Sequence, residues 1–130
     1  MDKEGRVLVC VTGQKSCERL IHAGADIAAQ TGAELSVVHV AKLGSNFLGS
    51  ASEGPALEYL FEISKNYNAD MMLLRNDDVV NTIAAHARKI GAQTVVIGGS
   101  VQKRGNRLAH ALTAALPDLD VRVLLGMEEG

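Results

Sequence analysis

Three cations, Lys103, Arg104 and Arg107, fall within five residues, shortly after the run Gly98-Gly99-Ser100. Glycines let a backbone approach a ligand closely, a serine offers a hydroxyl, and clustered cations attract an anion. A helix start nearby adds free N–H groups and the positive end of a helix dipole. Together these suit a phosphate. They equally suit an ordinary turn with a solvated basic rim, and spacing alone does not separate the two readings. A second loop, Thr12-Gly13-Gln14-Lys15-Ser16, also offers glycine, cation and hydroxyl. There Ser16 reads first as the N-cap of the helix that follows.

Other chemistries lack their residues. No GxGxxG occurs. The GxxxxGK[ST] pattern fails at Gly49 to Gly54, which Pro55 follows, and at Gln14-Lys15-Ser16, which lacks both glycines. Gly98-Gly99-Ser100-Val101-Gln102 misses the last glycine of a nucleophile elbow. His22, His39, His86 and His110 lie on four separate elements without i, i+4 spacing, so no metal site is expected. Cys10 and Cys17 are too few for a disulfide framework. Cys10 belongs to a buried strand. Cys17, near a helix start and Lys15, has a setting that favours a thiolate, although a small helix residue is the plainer reading. Asp77 and Asp78 invite comparison with an acidic phosphoacceptor pocket. Such a pocket needs an acid at the end of the first strand, where Val11-Thr12 stands, so they read as helix caps, with Asp77 as the N-cap. No general base is expected in the cleft, which disfavours an ATP hydrolase.

The elements that must position these loops follow from apolar spacing. Five strand-like runs stand at Val7–Val11, Leu35–Val40, Met71–Leu74, Thr94–Ile97 and Val121–Leu125. The first and fourth are nearly continuous apolar runs, as for strands covered on both faces, and the fifth alternates like an edge strand. Between them the period shifts to that of a helix. The four stripes are Leu20, Gly24, Ile27, Ala28 and Thr31; Leu57, Leu60, Phe61, Ser64 and Tyr67; Val80, Ile83, Ala84, Ala87 and Ile90; and Leu108, Ala111, Leu112 and Ala115. Gly32 and Gly91 end the first and third, Pro55 opens the second, and Pro117 stops the fourth. This β-α alternation predicts an α/β fold, a parallel sheet with helices on both faces and right-handed crossovers. Ligands in such sheets bind beyond the carboxyl ends of strands, where the winding reverses, which directs attention to the loops after strands one, two and four. The irregular stretch Lys42 to Gly54 exceeds an ordinary connection, so it is either mobile or functional.

The 130 residues form one domain, 1–130, with thirteen basic and fifteen acidic side chains and a net charge of -2. That balance excludes a dedicated electrostatic nucleic-acid binder. No apolar run reaches membrane-spanning length and no signal peptide opens the chain, so a cytoplasmic protein with no membrane insertion is expected. Only 3% of residues are aromatic, and Phe47, Tyr59, Phe61 and Tyr67 all fall between the second and third strands. A base held by the loops after strands one and four would therefore stack on aliphatic or backbone surface.

Two segments, VLVCVTGQKSCERLIHAGADIAAQTGAELSVVHV and DDVVNTIAAHARKIGAQTVVIGGS, resemble the universal stress protein superfamily. Within it they are most similar in appearance to the stress-protein-like cytoplasmic domain of Kdp-type, potassium-sensing histidine kinases. The resemblance spans Arg6 to about Leu125 and omits the kinase region and membrane helices, as for a stand-alone module. It implies a Rossmann-like, adenine nucleotide alpha hydrolase-like three-layer sandwich. The five-stranded parallel sheet would run in the order 3-2-1-4-5, with frequent homodimerisation. In one branch it implies ATP binding through G-x2-G-x9-G-[ST] and an acidic residue ending strand one. Here Gly98 matches the first glycine, Val101 replaces the second, no Gly-Ser or Gly-Thr pair follows, and Thr12 replaces the acid. The usual second phosphate-cradling turn is therefore missing. Some kinase-linked relatives are associated with cyclic di-AMP, whose aromatic motif is not evident here.

The expectation is a non-enzymatic signalling module of a stress or potassium/osmotic response, with a cleft for ATP or AMP. Thr12 and Gly13 would flank the base or ribose, and Val40 and Ala41 the ring. Gly98, Gly99, Ser100, Lys103, Arg104 and Arg107 would hold phosphate. A sensor kinase or transporter would be the macromolecular partner. The alternative is a ligand-free interaction module, dimeric through the edge strand Val121–Leu125.

Overall fold

A computed structural model describes residues 5–12, 17–99 and 107–124. Strand β1 (Arg6–Cys10) leads to α1 (Cys17–Thr31), β2 (Glu34–Ala41), a 3₁₀ turn (Phe47–Gly49) and α2 (Glu53–Asn66). Then follow β3 (Asp70–Arg75), α3 (Val79–Ile90), β4 (Ala92–Gly98), α4 (Arg107–Ala115) and β5 (Asp120–Leu124). All strand pairs are parallel, in the order β3-β2-β1-β4-β5.

β1 lies at the centre because its side chains are apolar on both faces. Val7, Val9 and Val11 enter a core with Leu20, Ile21 and Leu60 of α1 and α2. Leu8 and Cys10 enter the opposite core with Ile83, Ala87 and Leu112 of α3 and α4. The winding therefore reverses between β1 and β4, and α3 carries the chain back across the sheet to the second face. Gly24 lets α1 lie close on β1: a Cβ there would stand 2.3 Å from Val9 Cγ2. Gly91 ends α3 at φ 73°, a left-handed conformation open to glycine without steric cost.

Two local expectations change, and the plainer reading of Cys17 holds. The α2 stripe turns by about one residue: Ala56, Leu60, Ile63 and Ser64 are buried, Leu57 is half-buried and Phe61 is 52% exposed. Both registers satisfy helical spacing, and packing against the sheet selects the narrower side chains. The N-cap of α3 is Asp78, whose carboxylate accepts from the Asn81 amide at 3.2 Å, and not Asp77. Cys17 is fully buried, and desolvation pushes its thiol up to about 11, so a thiolate is disfavoured despite the helix start. Cys10 is pushed up to about 12 for the same reason.

Candidate functional site

Above the carboxyl ends of β1 and β4 lies an open cleft of about 670 Å³. The sheet supplies Thr12 and Gly98, the chain after β2 supplies Lys42, the β3–α3 connection supplies Asp77 and Asp78, and the starts of α3 and α4 supply Val79, Val80, Arg107, Leu108 and Ala111. Both helices rise from the same face of the sheet, so their first turns form two apolar walls. The rim is charged, with Arg107 and Lys42 as cations and the two aspartates as anions. Apolar walls with a cation at the edge fit a flat, largely apolar body that carries an anionic group.

The structure brings Thr12, Gly98 and Arg107 together in this cleft. Val40 is half-buried and packs into the core under α3 and α4. Ala41 is buried and its carbonyl accepts from the Asn76 amide at 2.9 Å. Gly99 is buried and its amide donates to Leu124 O at 3.0 Å, tying the end of β4 to β5. Gly13, Ser100, Lys103 and Arg104 lie outside the described residues.

Lys42, Asp77 and the Val79-Val80 pair were not expected at the site. A signal for them exists in the sequence: α3 must recross the sheet at the winding reversal, which carries its first turn over the end of β1. The presence of carboxylates corrects the expectation that the cleft holds no possible base. Both are engaged, however. Asp77 Oδ1 accepts from the Leu43 amide at 3.0 Å, while Asp78 accepts from the Asn81 amide and from Asn81 Nδ2. Among the described residues, no group of three or more His, Cys, Asp or Glu side chains could hold a metal ion.

Behind the cleft the Lys42–Gly54 stretch is ordered by a second set of contacts. His39, on β2, is buried and bonds through both ring nitrogens, Nδ1 to Val11 O at 2.8 Å and Nε2 to the Leu48 amide at 2.7 Å. A carbonyl only accepts and an amide only donates, so Nδ1 carries the proton and Nε2 is bare. Burial holds the imidazole below its ordinary value against the Val11 hydrogen bond, which raises it, and the Arg75 cation adds to the lowering. Arg75 stacks 4.1 Å from the Phe47 ring centroid, donates to Ser45 O at 2.7 Å and pairs with Glu53 at 3.0 Å. Glu53 in turn accepts from the Phe47 amide.

The universal stress protein family model matches residues 4–116. The chain belongs to the universal stress protein family. The sensor protein KdpD of Mycobacterium tuberculosis is 35% identical over 103 residues, which cover 79% of this chain. The matched segment spans 12% of that sensor protein's length. Among solved structures, a universal stress protein in complex with cAMP superposes with a TM-score of 0.64 at 16% identity, covering 98% of this chain and 100% of that one. The universal stress protein from Archaeoglobus fulgidus in complex with dAMP gives 0.59 at 18% identity, covering 95% and 98%. These likenesses establish the Rossmann-like fold of the family, with its 3-2-1-4-5 sheet. Among the described residues, no helix is long and apolar enough to cross a membrane.

Proposed function

We propose that this universal stress protein is a non-enzymatic, cytoplasmic sensing module whose cleft takes an adenine nucleotide by an abbreviated version of the family's mode. The observation that carries the reading is the cleft itself: apolar walls from Val79, Val80, Leu108 and Ala111 meet Arg107 at the winding reversal. The base would lie between the walls, and its phosphate would face Arg107, with Lys103 and Arg104 just before it in sequence. With Thr12 in place of an acid and Val101 in place of a glycine, a single phosphate suits the site better than a triphosphate chain. The complexes of family members with cAMP and dAMP support that ligand class. Similarity to the KdpD sensor supports a role in potassium or osmotic signalling, with a sensor kinase or transporter as partner.

Titration calorimetry against AMP, cAMP, ATP and cyclic di-AMP tests the reading. AMP or cAMP is expected to bind, and Arg107→Glu to weaken binding by about tenfold or more, equivalent to ~1.4 kcal/mol. Absence of heat or thermal shift with every nucleotide at millimolar concentration would sink it.

A second reading, a dimer formed through β5, is favoured by one observation. Among the described residues β5 ends the sheet, with an unpaired outer edge and Val123 38% exposed. Leu125 of the expected edge lies outside the described residues.

A further inference from the structure

We propose that His39 is a positioning residue that acts as a proton-operated latch: its neutral imidazole locks the segment after β2 against the end of β1, and protonation releases that segment from the rim of the cleft. The regulatory consequence rests on the nucleotide reading above; the latch itself does not.

The geometry admits one protonation state. Val11 O is next in the chain to cleft-lining Thr12, and Leu48 is the centre of the 3₁₀ turn. One imidazole thus bridges the strand end at the site and the loop beside it. Adding a proton to Nε2 replaces an acceptor by a donor and sets two N–H groups face to face at 2.7 Å. The buried Leu48 amide then has no acceptor, which makes the closed arrangement costly.

The segment has reason to leave once the bond fails. Leu48 stands at φ 58°, ψ 16°, a left-handed conformation that a leucine rarely adopts. Its side chain is 3% exposed, so burial and the His39 bond together hold it there. Phe47 meets the imidazole edge-on, with centroids 5.7 Å apart. At the other end of the segment, Lys42 lines the cleft and the Leu43 amide reaches Asp77. Opening therefore alters the rim of the site and exposes two large apolar side chains.

Arg75 on β3 opposes protonation, the hydrogen bond to Val11 O favours it without outweighing burial, and Glu53 on α2 pairs with Arg75. Cys17 on α1, in the same core layer as Val11 and Leu48, remains a neutral thiol. The folded imidazole titrates below its ordinary 6.5, so more protons bind when the latch is open. The stabilisation is present above about pH 6.5 and fades as the pH falls below it toward the folded value.

Amide hydrogen exchange on the whole chain, normalised for intrinsic rates, tests the latch from pH 7.5 down to the acid transition, alongside ¹⁵N spectra of the His39 ring. The expected result is a bare Nε2 at neutral pH. Protection at Leu48 should fall by up to about tenfold per pH unit in acid while far-UV dichroism stays native. His39→Gln keeps an acceptor for Leu48 at every pH and should keep that protection. A protonated Nε2 at neutral pH, loss of protection only with global unfolding, or the same loss in the Gln variant would each overturn the proposal. Calorimetry with cAMP, whose phosphodiester charge is constant over this range, separates the two readings. Loop release with no cAMP binding at any pH would remove the nucleotide reading and leave the latch. Unaltered loop protection with normal binding would do the reverse.

Discussion

Gly24 occupies the middle of α1, where glycine costs about 1 kcal/mol relative to alanine. Its compensation is close approach: an added Cβ would stand 2.3 Å from Val9 Cγ2 and 3.1 Å from Leu35 Cδ1. Gly24→Ala therefore sets better helix propensity against a clash with the central strand. The clash should win, destabilising the fold by about 1–3 kcal/mol in urea unfolding. Equal or greater stability would mean that α1 can lift off β1 at little cost. The same closeness argues against a reactive Cys17, since the thiol is sealed where α1 meets the sheet. Sequence spacing placed Gly24 on the inner face of α1. The depth of burial of Cys17 was not legible, because it depends on how near the helix lies.

At the scale of elements, the β3–α3 connection does two jobs with adjacent aspartates. Asp78 caps α3, and Asp77 holds the Leu43 amide across the mouth of the cleft. Asp78→Ala should cost about 1 kcal/mol of stability through the lost cap. Asp77→Ala should leave the cap intact and raise exchange at Leu43. Chemical denaturation with residue-resolved exchange distinguishes them, and equal stability losses would mean that the two roles are shared. A capping aspartate before a helical stripe is a local signal, visible in sequence to within one residue. Which of two neighbours becomes the cap is decided by Asn81 and by the segment after β2. The rotated stripe of α2 has the same origin. Leu57 and Phe61 fit a helical period as well as Ala56 and Ile63 do, and only contact with the sheet distinguishes the registers.

For the whole molecule, a parallel sheet leaves two edges, and they are protected differently. At the end opposite the cleft, Arg6 ties three strands together, reaching Glu34 at 2.9 Å and both Ser36 and Asp70. On β5, Arg122 pairs with Asp120 of its own strand, and among the described residues no ion pair bridges β5 to a neighbouring strand. If this edge pairs with a second copy, light scattering should report a dimer that Val123→Lys converts to monomer. A monomer in both would remove the dimer reading, and a dimer in both would move the interface elsewhere.

Five apolar runs, four helical stripes and the Gly and Pro residues that separate them were enough to determine an α/β domain with a central, doubly covered first strand. Those features are local, since strand and helix periods are properties of the backbone itself. Of the site residues expected from strand ends and the basic cluster, Thr12, Gly98 and Arg107 line this cleft, whereas Val40, Ala41 and Gly99 do not. Tertiary structure decided what joins them. Asp77 and Val80 meet Thr12 only because α3 recrosses the sheet, and His39 meets Val11 and Leu48 across 28 and 9 residues of chain. No local period records such meetings; they exist only once the winding reverses and the sheet brings the strand ends side by side.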